Sequence, residues 1–236
     1  MPTWQAVGYL LGAYLLGSIP TAYLFARFLR GVDLRLYGSG NVGGNNAGAV
    51  IGLWAMVVVG VIDVAKAALP AWFALHGLQQ GYPLAVGAGL CSLAGHNWSV
   101  FIGFYGGRGV GTIMGTLLVV FPWGALLLLT ALFIGWRLRS TAGSTVGLLL
   151  LPFASLLLDL PSAVTLGSLG MILITAAKRL EANRAPLPVG EQRWSVIWRR
   201  LWLDRDIADH EKWLARRPGQ ETGLVLDRDD SQEKIS

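Results

Sequence analysis

The sequence predicts an all-α fold, a polytopic bundle of membrane-crossing helices. Three observations carry this expectation. Of its 236 residues 53% are hydrophobic and only 14% charged, a balance too apolar for a soluble domain. Apolar runs recur at about 4–26, 50–75, 83–103, 110–136 and 142–177, near or above the roughly 20 residues that a helix needs to cross hydrocarbon. Charge is segregated, since seven of 19 Lys and Arg precede residue 178, and of 14 Asp and Glu only Asp33, Asp63 and Asp159 do. The chain thus divides into a membrane-embedded domain at 1–191, a basic amphipathic segment at 192–217 and a polar tail at 218–236 whose composition predicts disorder.

The first run lacks a basic N-terminal region and a small-residue cleavage site, so it predicts a retained helix rather than a signal peptide. Within it, Gly17-Ser18-Ile19-Pro20 introduces a proline that frees a backbone carbonyl beside the Ser18 hydroxyl. The runs at 50–75 and 83–103 supply the second and third helices. The run at 142–177 is too long for one helix, and Asp159-Leu160-Pro161 divides it into 142–158 and 162–177. Phe121-Pro122 makes 110–136 ambiguous between a kinked helix and two segments. The cytoplasmic excess of Lys and Arg decides it. With Arg27, Arg30 and Arg35 inside, an unbroken 110–136 would strand Arg137, Arg139 and the tail outside, whereas a split at Pro122 returns them to the side of Arg108. The expectation is about seven helical segments, with the N-terminus outside and the C-terminus cytoplasmic. At ~1.5 Å per residue the segment at 110–120 covers only about half the hydrocarbon. In the tail, Trp194, Ile197, Trp198 and Leu201 follow i, i+3, i+4, i+7 spacing, so one helix face is apolar and the other basic. Such a helix fits the inner leaflet, and it fits equally well against the protein's own cytoplasmic face.

A single cysteine, Cys91, excludes disulfides and cysteine metal sites, and no metal or cofactor is expected. The net charge of +5 sits on loops and tail, which speaks for topology and anionic partners rather than nucleic acid. Two glycine-rich loops stand out. Gly38-Ser39-Gly40-Asn41-Val42-Gly43-Gly44-Asn45-Asn46 combines permissive backbone with side-chain donors, a composition suited to cradling an anion, and Gly106-Gly107-Arg108-Gly109 adds a cation. Either loop alone is as readily a membrane turn. Asp63 and Lys66 share one helix face at i, i+3 and read either as an ion pair between helices or as a substrate contact. His96 is a general-base candidate by its near-neutral pKa, against the plainer reading of a hydrogen-bonded structural histidine. Arg27, Arg35, Arg108, Arg137, Arg139, Lys178 and Arg179 converge on the same predicted face, which favours a phosphorylated ligand.

At these residues the chain resembles the bacterial acyl-phosphate:glycerol-3-phosphate acyltransferase family of PlsY type. The resemblance rests on Gly17-Ser18-Ile19-Pro20, Gly38-Ser39-Gly40-Asn41-Val42-Gly43, Asn46, the Asp63-x-x-Lys66 pair, Gly95-His96-Asn97 and Gly106-Gly107-Arg108-Gly109-Val110. A weaker match runs from Arg179 through Asn183 to Gly190-Glu191, and the Trp-containing tail is an addition to the family core. The resemblance implies a multi-pass enzyme of the bacterial inner membrane that acylates the 1-hydroxyl of glycerol 3-phosphate from acyl phosphate, giving lysophosphatidic acid and phosphate without a metal. It implies His96, Ser39 and Asn41 as catalytic residues. It also implies substrate binding by Ser18, Gly38, Gly40, Gly43, Asn45, Asn46, Lys66, Gly106, Gly107, Arg108, Gly109, Ser144, Arg179, Asn183 and Glu191. Partners would be the two substrates, membrane lipids and the soluble enzyme that makes acyl phosphate. The chain departs from the family pattern at Asn45 and Ala49, at Tyr105, where a lysine is usual, and at Pro186, with Asn45, Asn46, Arg184 and the tail as candidates to compensate. Two other readings stand beside it: a transporter or binder of a phosphorylated lipid or metabolite, and an inactive family member. Acyl-CoA-dependent acyltransferases carry His-x4-Asp, which none of His76, His96 or His210 begins.

Overall fold

The computed structural model describes residues 1–37, 40–184, 186–188, 190 and 192–206. Gly38, Ser39, Glu191 and the predicted tail at 218–236 lie outside the described residues, as does the basic segment beyond 206. Ten α-helices form: α1 (Thr3–Ser18), α2 (Thr21–Arg30), α3 (Gly44–Ile51), α4 (Leu53–Trp72), α5 (Gly81–Asn97), α6 (Val110–Val120), α7 (Pro122–Arg137), α8 (Ala142–Leu157), α9 (Ser162–Glu181) and α10 (Gln192–Leu203). The stretches Thr3–Arg30, Leu53–Gly77 and Ser162–Arg184 are long and apolar enough to cross a membrane.

Proline sets two of the boundaries. Pro20 separates α1 from α2, and Pro122 is the first residue of α7, a position where its missing N–H costs nothing. Phe121, at φ −156°, is extended, so α6 and α7 are two elements, as the charge argument requires. At ~1.5 Å per residue α6 spans about 16 Å and α7 about 24 Å.

Elsewhere the helices depart from the apolar runs. The predicted loop at 38–46 ends early, because Gly44, Asn45 and Asn46 form the first turn of α3. Gly52, at φ 135°, then turns the chain into α4, a conformation that side chains other than glycine rarely adopt. The third helix stops at Asn97 instead of 103, and residues 98–109 fold back as an irregular loop with Gly103 and Gly109 at positive φ.

The helices bury small residues and face large apolar ones outward, as expected when lipid rather than water surrounds them. Trp136, Phe153 and Leu157 are among the most exposed side chains, whereas Ala67, Ala71, Ala85 and Ala88 are fully buried. Glycine permits the closest crossings: a Cβ on Gly17 would collide with the Ser92 backbone, and one on Gly95 with the Tyr14 carbonyl, so α1 and α5 meet backbone to backbone.

The two ends of the bundle differ. The N-terminal amine donates to Gln80 Oε1 at 2.9 Å, which puts Met1 beside the turn before α5. At the opposite end Arg30 donates to the Ile51 carbonyl, Arg108 to that of Lys178, and Thr141 to that of Leu203. The irregular loop, the start of α8 and α10 therefore share one face.

Candidate active site

The break at Pro20 supplies the first fixed points. Its freed carbonyls are both occupied: Ser18 O accepts from the Ser99 hydroxyl, and Ile19 O from the Lys66 ammonium and the Thr21 N–H. Lys66 is also paired with Asp63 Oδ1 at 2.8 Å, with both side chains buried. The same carboxylate oxygen lies 3.6 Å from Nδ1 of His96. Asp63 thus stands between an ammonium and an imidazole, which favours the proton on Nδ1 and leaves Nε2 as the basic atom.

Nε2 faces Gly107, so closely that a Cβ there would overlap it. The irregular loop is pinned in that position by backbone bonds. Gly107 N–H donates to His96 O at 3.1 Å, Ser99 N–H to Tyr105 O at 3.0 Å and Phe104 N–H to Ser99 O at 2.7 Å. Gly106 has no room for a side chain against the His96 and Asn97 carbonyls, and Gly109 takes φ 75° to start α6. Gly106 O accepts from Val42 N–H and from Asn183 Nδ2, both at 3.4 Å, and a Cβ on Gly43 would stand 3.8 Å from Gly107 Cα. The two glycine-rich loops are therefore in contact.

The predicted residues take unequal parts in this arrangement. His96, Asn41, Gly40, Gly43, Gly106, Gly107, Arg108, Gly109 and Asn183 belong to the two touching loops or their immediate supports. Asn46 is a scaffold: its buried amide donates to the carbonyls of Leu34, Tyr37 and Asn41, closing the first loop. Asn45 is exposed. Lys66 is committed to Asp63 and Ile19, and the Ser18 hydroxyl is buried without a partner. Arg179 and Ser144 hold the C-terminal helix: Arg179 donates to Ser144 and Thr145 hydroxyls and to Leu201 O.

Several features of the site were not foreseen from sequence. Asn97, fully buried, leaves both amide atoms without a hydrogen-bond partner beside Gly109. Ala182, Asn183 and Arg184 adopt φ of 45°, 53° and 67°, three left-handed residues in succession. Such a conformation costs about 1–2 kcal/mol for each non-glycine residue, so the run needs support, which the bonds from Asn183 and Arg184 to the loop provide. Asp204, after α10, forms an ion pair with Arg108 Nε at 2.9 Å, and burial pushes its carboxyl above the ordinary range while Arg108 and Arg179 oppose that rise. No spacing rule connects residues 108 and 204.

α10 itself shows Trp194 and Trp198 outward, while Arg200 is buried on the carbonyls of Leu180 and Pro186 and on Asp206. The C-terminal half of α10 thus packs on the protein through an arginine rather than through the apolar stripe. A cavity of about 520 Å³ between α7 and α8 is an apolar groove lined by residues such as Trp123, Leu127, Ile134 and Val146, and includes none of the polar groups above. Among the described residues no cluster of His, Cys, Asp and Glu has the makings of a metal site.

Comparison with known proteins agrees with this architecture. The sequence profile of the family described as glycerol-3-phosphate acyltransferase matches residues 7–185. Glycerol-3-phosphate acyltransferase 4 of Dehalococcoides mccartyi strain CBDB1 is 38% identical over 214 residues, covering 86% of this chain and 90% of the relative. Acyltransferase 5 of D. mccartyi strain ATCC BAA-2266 is 35% identical over 226 residues, covering 92% and 96%. The crystal structure of PlsY, an integral membrane glycerol 3-phosphate acyltransferase, in its glycerol 3-phosphate form superposes with a TM-score of 0.69 at 31% identity, covering 76% of this chain and 90% of that one. With the profile spanning α1 to the left-handed turn, the chain belongs to the glycerol-3-phosphate acyltransferase family.

Proposed function

We propose that the protein transfers a fatty acyl group from acyl phosphate to the 1-hydroxyl of glycerol 3-phosphate, giving lysophosphatidic acid and inorganic phosphate. The observation that carries this reading is His96, backed by Asp63 on Nδ1 and directed through Nε2 at the glycine-rich loop that bears Arg108. Nε2 accepts the hydroxyl proton as the glycerol oxygen bonds to the acyl carbon, and the bond from that carbon to the phosphate oxygen breaks, with phosphate leaving. Arg108 and the loop N–H groups balance charge on the phosphates. Relatives crystallised in glycerol 3-phosphate and lysophosphatidic acid forms support the substrate and product classes.

The basic end of the bundle faces the cytoplasm in this reading, placing the N-terminus outside, in a multi-pass protein of the bacterial inner membrane. Acyl phosphate then arrives from the cytoplasmic side. α10 lies at the depth where α8 begins and α9 ends, so its outward Trp194 and Trp198 meet the inner leaflet. A transporter reading lacks support at the break at Pro20, whose carbonyls are already taken by Lys66 and Ser99. The test is turnover by detergent-purified protein supplied with glycerol 3-phosphate and palmitoyl phosphate. Lysophosphatidic acid and phosphate should appear in equal amounts, and output no greater than that of His96→Gln removes the proposal.

A further inference from the structure

Tyr105 follows the irregular turn and immediately precedes the glycine that accepts from Val42 and Asn183. Two guanidinium groups gather on its ring. Arg184 Cζ lies 4.8 Å from the ring centroid and Arg35 Cζ 5.4 Å from it, with Arg35 also 5.4 Å from the ring of Tyr23. Each arginine is held by a further anchor. Asp33 grips Arg35 through Nε and Nη2, at 2.9 and 2.6 Å, while Arg184 Nη2 donates to Gly103 O at 2.8 Å.

The three elements that bring these groups together are far apart in the chain, and one of them is the left-handed run at Ala182–Arg184. Like charges on one ring repel, and among the described residues Asp33 offsets only one of the two. The cluster therefore keeps an uncompensated positive charge at the edge of the site, on planar groups whose donors suit phosphate oxygens. An aromatic face fixes a guanidinium by cation–π attraction without consuming N–H donors, so those not taken by Asp33 and Gly103 O are left for a ligand.

We propose that Tyr105, carrying Arg35 and Arg184, is a phosphate-recognition platform at the rim of the active site. Its ligand is a phosphomonoester or acyl phosphate group. Both substrates of the proposed reaction carry one, so the identity of the ligand rests on that reading, whereas the affinity for phosphate does not.

The experiment measures binding of inorganic phosphate to the full-length detergent-purified protein by calorimetry, alongside KM for each substrate. Arg184 is exposed and Asn183 keeps its own bond to the loop, so Arg184→Gln leaves the bundle intact, and it should weaken phosphate binding about tenfold, the loss of one charge-assisted bond. Tyr105→Leu, which removes no charge, should weaken it several-fold, and Tyr105→Phe, which keeps the ring, should weaken it less. Arg199→Gln, which removes an arginine of α10 that bonds only within its own helix, should leave it unchanged. A rise in KM for glycerol 3-phosphate alone in Arg184→Gln assigns the platform to the acceptor, and a rise for acyl phosphate alone assigns it to the donor. Unchanged phosphate affinity in Arg184→Gln and Tyr105→Leu overturns the platform, as does an equal loss in Arg199→Gln. Phosphate affinity that follows the expected order in a protein without turnover upholds the platform and removes the acyltransferase reading instead.

Discussion

Gly107 meets His96 twice, its N–H donating to the His96 carbonyl at 3.1 Å and its Cα pressed against the imidazole edge that carries Nε2. Backbone and side chain of one residue are thus registered against a single glycine. The loop can approach the imidazole this closely only because residue 107 lacks a Cβ.

Gly107→Ala should therefore displace the imidazole or the loop by about an ångström. A misplacement of that size costs on the order of 100-fold in turnover. Steady-state rates together with thermal unfolding check this, since the expected loss is in kcat with the unfolding midpoint nearly retained. Full activity in Gly107→Ala would show that the contact has no bearing on the reaction.

Asp63 serves both His96 and Lys66, so its two roles can be separated by substitution. Asp63→Asn leaves the buried Lys66 ammonium without its counter-charge and should destabilise the protein by about 3–5 kcal/mol, besides lowering turnover. Adding Lys66→Met should restore much of the stability and none of the turnover. Recovery of both would return His96 to a structural role.

Asn46→Ala should lower stability by about 1–3 kcal/mol, because its buried amide ties together the carbonyls of Leu34, Tyr37 and Asn41. Asn45→Ala, at an exposed position, should leave the unfolding midpoint within about 0.5 kcal/mol of the parent. Chemical denaturation in a constant detergent background compares the two.

Acid should loosen the approach to the site at Asp33. Arg35 beside it holds its carboxyl below the ordinary value of 3.8, so the pair stabilises the fold above that value and the contribution is lost as pH falls through the lower folded-state pKa. The parent should lose unfolding temperature more steeply below about pH 4 than Asp33→Asn, which has no such carboxyl to protonate. Parallel acid profiles of the two proteins would contradict the assignment.

The apolar helical segments were legible because the bilayer imposes a length, and the split at Pro122 because positive charges favour one side. Pro122 and Arg137 and Arg139 together forced the division between α6 and α7 before any packing was considered. The helix at 44–51 was hidden, since its residues are too small and polar to mark an apolar face, and the corner at Gly52 is visible only as an angle. In the site, glycine content and His96 pointed to the two loops that the structure brings into contact. What could not be read was pairing across distance: Asp63 with His96, Tyr105 with Arg35 and Arg184, and Arg108 with Asp204. Asn46 and Arg179 look in sequence like ligand-binding groups because the same donors that suit a phosphate also suit backbone carbonyls, and folding used them for the latter.

α6 carries a consequence for how the protein reaches its membrane. Eleven residues are too few for the insertion machinery to treat as an independent crossing, and the next sixteen begin with a proline. The two helices must therefore enter as one hairpin with Phe121 leading, and because the finished fold buries that residue, a charge placed there would oppose both insertion and packing.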